Sequence, residues 1–406
     1  MDTALHHEFA GLIQFLPTVE RILYGANSIE GYLESEVERF CGQRVFLLAP
    51  RSLKSQTSFQ RVAGILGKRL TASFIAAFEH VPLDVVVEAA SAARDCNADL
   101  VVALGGGSTI DAAKAVRTCL AAGLTTSQLL GSFMECRGAL AATLIPQISI
   151  PTTLSGSEYT RSFSATDFEA GVKRSYTGSP VASRVILYDP GATLSTPMRL
   201  WLSSGVMAID HAVEVLCGSP AHAVGDAIKL SALTALFTYL PSSKRAPDDL
   251  EVRLRCQLGA WLADHSPLRT QSLKSTAPAL PSHALAYELG ALCRLPYGVS
   301  ACLTLPACIR WTAARDPAVL ARQAEIARIL RVAQPGTTDR DASNRLAEKL
   351  TALISELGLP ERFRDVGINH EYLRVVASHF AARRASLITG QVATEDQVIS
   401  LLESAL

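Results

Sequence analysis

Leu100-Val-Val-Ala-Leu104 runs directly into Gly105-Gly106-Gly107-Ser108 and then Thr109-Ile-Asp111-Ala-Ala-Lys114. Five apolar residues in a row predict a strand buried on both faces of a parallel sheet. The three glycines let the backbone turn sharply, and a helix is predicted to start at Ser108, a residue type suited to an N-cap. A strand, a glycine turn and a helix N-terminus together make an anion site. Free backbone N–H groups and the positive end of the helix dipole point at whatever the glycines admit. The guest expected there is the pyrophosphate of a dinucleotide; the alternative is an ordinary strand-to-helix turn of an α/β protein. The G-x-G-x-x-G fingerprint is not met. Its third glycine would fall on Ile110, and no acidic residue stands about 20 positions further on.

Downstream, Leu144-Ile-Pro-Gln-Ile-Ser-Ile150 predicts another buried strand, followed by Pro151-Thr152-Thr153-Leu154-Ser155-Gly156-Ser157-Glu158-Tyr159-Thr160. Together with the triple glycine, this resembles the iron-containing alcohol dehydrogenase superfamily, whose members carry GGGSxxDxAK and then PTTxGTGSE. The second motif is one residue shorter here, PTTxxGSE, which is similar to the PTTYAGSE loop of the maleylacetate reductase branch. The likeness continues through Tyr188-Asp189-Pro190, Gly205 to Glu214 and His283 to Gly298, and so spans about residue 20 to 315. It implies a dehydroquinate synthase-like, iron-alcohol-dehydrogenase fold and a nicotinamide-dependent, homodimeric oxidoreductase. It also implies that Gly105, Gly106, Gly107 and Ser108 hold the pyrophosphate while Thr152 and Thr153 contact the cofactor. Hydroxyls facing a glycine turn suit phosphate oxygens, because each offers a freely rotating donor. Asp111 and Lys114 match DxAK and are expected to buttress the loop from the helix surface.

In metal-dependent members the resemblance implies one Asp and three His around a divalent ion, with D-x-x-x-H placing two ligands on one helix face. The matching helix reads Gly205-Val-Met207-Ala-Ile-Asp210-His211-Ala-Val-Glu214, so His211 is present but Met207 stands at the Asp position. His283 matches the next ligand, and the last, from P-H-G, is Tyr297 in Pro296-Tyr297-Gly298. A thioether and a phenol are not ligands for a hard divalent ion in such a site. Asp210 cannot stand in, since adjacent residues lie about 100° apart around a helix. No metal is expected.

Family reductases also keep histidines where Tyr287 and Tyr297 stand. The pocket would then hold two histidines and two tyrosines around a carbonyl. Hydride transfer to carbon needs a positioned group to protonate or polarise the oxygen, and His211, His283, Tyr287 and Tyr297 are the catalytic candidates. Arg161, just past the GSE motif, is suited to clamp a substrate carboxylate in a bidentate pair; a surface salt bridge is the alternative. Met207 is the other residue expected on the substrate side. The remaining histidines, His6, His7, His80, His222, His265, His370 and His379, lack motif context and read as structural or surface. The nine cysteines show no CxxC spacing, so Cys293, Cys302 and Cys308 read as small buried hydrophobes.

The strand expected at 44–49 is followed by Pro50-Arg51-Ser52, where the superfamily places an acidic residue on the adenosine ribose. With no carboxylate there, Arg51 and Ser52 are suited to a 2′-phosphate. The reading leans toward NADPH over NADH, or toward use of both.

At 406 residues and 49% hydrophobic composition, the chain can bury a large core, and two domains are expected. The 38 basic and 38 acidic residues balance without a basic stripe, which argues against a nucleic-acid partner and leaves a small-molecule substrate. No basic leader precedes an apolar segment, and no apolar run reads as a membrane span, so no membrane partner and a cytoplasmic location are expected. Unpatterned cysteines suit a reducing compartment. Strand-like runs at 44–49, 100–104, 144–150 and 185–188 alternate with helical patterns such as 84–93. This predicts an N-terminal α/β dinucleotide-binding domain, residues 1–191, with a Rossmann-like parallel sheet. Residues 192–406 read as an all-α substrate domain, with helices over 226–240, 318–332 and 340–357 and a break at Gln334-Pro335-Gly336.

The function expected is a metal-independent NAD(P)H-dependent reductase of a carbonyl or activated enone, similar to maleylacetate reductase. The alternative is a repurposed member doing dehydration, cyclisation or decarboxylation on an enol or carbonyl. A catalytically idle binding subunit is a third reading, opposed by the intact glycine and threonine loops.

Overall fold

The computed structural model describes residues 12–15, 19–140, 143–218, 223–264, 268–271, 281–384 and 393–406. The chain divides into two compact units: Pro17–Pro197 with Ala246–Gln257, and Met1–Leu16 with Met198–Arg245 and Leu258–Leu406.

In the first unit six strands form one parallel sheet in the order Arg21–Tyr24, Val185–Tyr188, Gln147–Pro151, Leu100–Gly105, Val45–Pro50, Leu70–Ala76. Side chains alternate across a strand, and that alternation builds two cores. Phe46, Leu48, Val101 and Ala103 pack with Val86 and Ala90 of helix Leu83–Asp95 and with Ile110 and Ala113 of helix Gly107–Ala122. Val45, Leu47, Leu100, Val102 and Leu104 pack instead with Ile29 and Leu33 of helix Ser28–Arg39 and Val62 of helix Thr57–Leu66. Burial on both faces is why these strands read as unbroken apolar runs.

From Val45–Pro50 the chain passes to Leu70–Ala76 on one side, then returns to Leu100–Gly105 on the other. The winding direction therefore reverses between Val45–Pro50 and Leu100–Gly105. Ligands of open α/β sheets bind outside the carboxyl ends of the strands at such a reversal. The residues standing there are Arg51 and Ser52 after one strand and Gly106–Ser108 after the other.

Four strands of this unit were not foreseen beyond the four central runs. Arg21–Tyr24 and Leu70–Ala76 form the sheet edges, where half of the side chains meet water and the apolar run is broken. Ser162–Asp167 pairs with Val172–Thr177 as an antiparallel hairpin outside the main sheet.

The second unit is mainly helical, but it is not all-α: Leu12–Phe15 pairs antiparallel with Leu268–Gln271. The α/β unit also runs past 191 to Pro197, because the 3-10 turn Pro190–Thr193 stays packed on the strand Gln147–Pro151. Segment Ala246–Gln257 returns to that unit through polar anchors. Arg253 Nη1 donates to Thr193 O at 3.0 Å and Gln257 Nε2 to Pro151 O at 3.4 Å. No uninterrupted apolar run of span length was expected, and the one described helix of span length and overall composition is interrupted by Arg199, Asp210 and Glu214. This helix, Met198–Cys217, is mostly buried inside the protein as a core helix. His6, His7, His222 and His265 lie outside the described residues.

Candidate active site

In the α/β unit the helix begins one residue earlier than expected, spanning Gly107–Ala122 with Gly106 as N-cap. Ser108 thus sits in the first turn. Gly106 has no side chain to cap the helix, so the first N–H groups are left for a ligand. The glycines are demanded by the loop that lies over them. A Cβ on Gly105 would meet Thr109 Oγ1 at 2.6 Å, one on Gly106 would meet Thr153 Cγ2 at 3.0 Å, and one on Gly107 would meet Ser155 Oγ at 2.4 Å. Thr152 N donates to Gly105 O at 3.0 Å, continuing the pairing of Gly105 with Pro151 and locking the threonine loop beside the glycine turn. Thr152 and Thr153 are buried, and Thr153 Oγ1 donates to Ser155 Oγ at 3.3 Å. Backbone N–H groups and hydroxyls around a tight glycine turn fit a pyrophosphate. The residues expected to hold a dinucleotide are therefore brought together. Arg51 and Ser52 are exposed beyond the neighbouring strand.

Lys114 departs from its expected place on the helix surface. It is fully buried, and its Nζ donates to Asp111 Oδ1 at 3.1 Å, Thr160 Oγ1 at 2.9 Å, Ser162 O at 2.8 Å and, in a shorter contact, Ser157 O. Asp111 Oδ2 accepts from Ser164 N at 3.2 Å. The pair ties the 157–164 segment to the helix, so it buttresses the loop from inside. Arg161, half-buried just before the hairpin, forms no ion pair among the described residues.

In the helical unit the catalytic candidates converge. His211 lies on helix Met198–Gly218, His283 and Tyr287 lie one turn apart on Ser282–Cys293, and Tyr297 opens Tyr297–Ala313. Ring centroids are 4.8 Å apart for His211 and His283, 5.2 Å for His283 and Tyr287, 5.8 Å for His283 and Tyr297, and 5.3 Å for Tyr287 and Tyr297. His211 Nε2 lies 3.2 Å from His283 Nδ1, and His283 N donates to Glu214 Oε1 at 2.8 Å. Met207 is buried four residues before His211. Gly298 explains how Tyr297 is brought in: a Cβ there would lie 2.4 Å from the Ser203 carbonyl, so the two helices cross backbone to backbone.

Sequence reasoning missed Asp264 and Lys229. Asp264 ends helix Leu250–Asp264, and its Oδ1 stands 3.4 Å from His211 Nδ1. Lys229 Nζ donates to Ala263 O at 2.5 Å and Leu262 O at 3.3 Å. The available signal was a lone carboxylate closing the apolar run Gly259-Ala-Trp-Leu-Ala263, but it matched no motif.

Charge around this cluster is strongly perturbed. Burial alone would lower His211, but the Asp264 carboxylate outweighs it and raises the imidazole. Burial would raise Asp264, yet His211 and Lys229 together hold it below the usual carboxylate range. Lys229 is pushed down to about 8 by burial, against the pull of Asp264. Asp210 is raised to about 6 by burial, against His211 and Ser282, and Glu214 is pushed well above its ordinary value by burial and by Asp210.

The donor set does not fit the ion that the superfamily pattern implies. Two of the four matching positions carry the Met207 thioether and the Tyr297 phenol, and the two imidazoles are turned toward one another. Among the described residues no cluster of three or more His, Cys, Asp or Glu is arranged to hold a metal. Cys302 and Cys308 are buried as expected, whereas Cys293 is half-buried.

Residues 19–190 match the family described as iron-containing alcohol dehydrogenase, and residues 201–406 match the Fe-containing alcohol dehydrogenase family, C-terminal. The chain is 30% identical over 362 residues to a maleylacetate reductase of Burkholderia cepacia, covering 88% of this chain and 92% of that one. It is 28% identical over 390 residues to a maleylacetate reductase of Sphingobium indicum, covering 96% of each. The crystal structure of maleylacetate reductase from Agrobacterium tumefaciens matches with a TM-score of 0.74 and 25% identity over 98% of both chains. The glycine cradle, the PTTxxGSE loop and the two retained histidines thus stand in one shared scaffold, and the chain belongs to the iron-containing alcohol dehydrogenase family of oxidoreductases, in its maleylacetate reductase-like branch.

Proposed function

We propose that the protein is a metal-independent, NAD(P)H-dependent reductase of a carbonyl or activated enone, of the reaction class named by its maleylacetate reductase relatives. The observation that carries this reading is the direct His211 Nε2 to His283 Nδ1 contact at 3.2 Å, inside a ring cluster standing where the superfamily keeps its ligands. Gly105, Gly106, Gly107, Ser108, Thr152 and Thr153 would hold the dinucleotide. When bound, the reduced nicotinamide supplies hydride to the substrate carbon. This chain's own task is to manage the oxygen, which gains a proton as the carbon gains hydride. His283 and His211 provide the acid. The Tyr287 and Tyr297 hydroxyls polarise the carbonyl, and the apolar helices around them exclude water. Met207 shapes the substrate side, and Arg161 is the cation for a substrate carboxylate.

The test is titration of metal-stripped protein with NADPH and NADH, followed by fluorescence, with metal content assayed on the same sample and turnover then screened on carboxylated ketones and enones. Tight cofactor binding with substrate-dependent NAD(P)H consumption and no bound metal supports the reading. Activity that returns only on adding a divalent ion overturns the metal-independence. Failure of either cofactor to bind overturns the reductase assignment.

A further inference from the structure

Asp264 closes a helix that carries no family motif, yet its carboxylate faces the back of the first imidazole in the ring cluster. Oδ1 stands 3.4 Å from His211 Nδ1, and the two side chains are only 17% and 16% exposed. The opposite nitrogen of the same ring, Nε2, lies 3.2 Å from His283 Nδ1, with the rings edge to face. The first imidazole therefore stands between the carboxylate and the second imidazole, with one of them at each of its two nitrogens. We propose that Asp264 is a positioning residue, which holds His211 with hydrogen on Nδ1 and so makes the two imidazoles deliver a proton as a single relay. This rests on the reductase reading above.

The proton count closes. With His211 charged, its Nδ1–H faces Asp264 and its Nε2–H faces His283 Nδ1, so His283 carries its one hydrogen on Nε2. When His283 gives that hydrogen to the substrate oxyanion, it takes the Nε2 hydrogen of His211 on its Nδ1. The pair goes from three N–H groups to two, the oxygen gains one O–H, and the positive charge on His211 disappears. Asp264 stays ionised throughout. A carboxylate accepts and never donates in that state, so it permits only the Nδ1–H form of the neutral ring.

The surroundings hold both partners of His211 in place. Lys229 Nζ grips Ala263 O and Leu262 O, the two carbonyls just before Asp264, at 2.5 Å and 3.3 Å. Glu214, one turn beyond His211, accepts from His283 N at 2.8 Å and fixes the start of the helix carrying the second ring. The 3.4 Å separation is longer than a well-formed charge-assisted bond and is of the kind that tightens when substrate closes a site.

The experiment is nitrogen-15 NMR of the imidazoles in the full-length protein, with signals assigned through His211→Gln and His283→Gln. It is paired with kcat, KM and cofactor affinity for Asp264→Asn and Asp264→Glu. In the wild type at a pH where the rings are neutral, His211 is expected to be protonated on Nδ1. Asp264→Asn should remove that preference and lower kcat about 100-fold, with cofactor affinity unchanged. Asp264→Glu should recover part of both. A wild-type His211 protonated on Nε2 overturns the proposal, and needs no variant to fold. Unchanged tautomers and turnover in a folded Asp264→Asn overturn it equally. If instead no carbonyl substrate consumes NAD(P)H, the reductase reading fails, and the tautomer measurement still decides the role of Asp264.

Discussion

The glycine turn of the α/β unit and the ring cluster of the helical unit both follow one family pattern, but they are held in different ways. In the turn, added methyl groups at three successive positions would come within 2.4–3.0 Å of neighbouring side chains, so the shape there is set by the backbone itself. In the cluster, rings meet at centroid distances of 4.8–5.8 Å, and two of the four ligand positions that the family pattern implies hold Met207 and Tyr297. A site made of backbone cannot be altered one residue at a time without losing its shape. A site made of side-chain tips can exchange a carboxylate and an imidazole for other groups while the helices beneath them keep their packing. This contrast accounts for a chain that keeps the family's glycine motif and departs from the family pattern in its ring cluster.

Four results would break or sharpen that contrast. The largest effect is expected at the cluster: His283→Ala and His211→Ala should each cut turnover about 100-fold or more with cofactor affinity near normal, as steady-state kinetics and fluorescence titration would show. Turnover left intact in both removes the acid–base assignment. Next, Lys114→Met deletes a fully buried ammonium that donates to four oxygens, and thermal unfolding should reveal a loss of about 3 kcal/mol. A change within error would mean the 157–164 segment is held by other means. Gly107→Ala drives a methyl toward Ser155 Oγ at 2.4 Å and should weaken NADPH and NADH alike by about 10-fold, in calorimetry of a normally folded protein. Unaltered affinity would place the pyrophosphate elsewhere. The smallest effect belongs to the exposed Arg51, where Arg51→Ala should lower the preference for NADPH over NADH by about 3-fold. An unmoved ratio would detach Arg51 from the 2′-phosphate.

A pH experiment sharpens the cluster further. Burial raises Asp210 to about 6 from 3.8, so between those values the folded protein binds a proton that the unfolded chain has released. Its contribution to stability therefore falls as pH rises through this window and stays lost above it. Asp210→Asn should gain stability over the wild type at pH 7.5 relative to pH 4.5, read by urea unfolding at both. A gain confined to pH 4.5 would reverse the assigned sign.

How much of this was legible depended on where a residue's partners come from. The central strands Val45–Pro50, Leu100–Gly105 and Val185–Tyr188 announce themselves because both of their faces are buried, which leaves no room for polar residues. Edge strand Leu70–Ala76 alternates exposed and half-buried positions and hides among loops. Lys114 read as a surface residue since an isolated lysine on a helix usually is one. Its burial depends on carbonyls more than forty positions away that no local pattern encodes. The ring residues His211, His283, Tyr287 and Tyr297 were found by motif, and the structure brings them together. Asp264 was not, since a carboxylate gains its meaning only from the imidazole it faces across the fold.

Gly298 follows the position at which the family pattern implies a ligand histidine, where this chain has Tyr297. The glycine remains because an added carbon would strike the Ser203 backbone at 2.4 Å, a constraint that has nothing to do with which side chain precedes it. The joint between these two helices is thus independent of the chemistry mounted on it. Position 297 is the natural place to retrofit a different acid or ligand, since its approach to the His283 and Tyr287 rings is set by the close helix crossing at its neighbour.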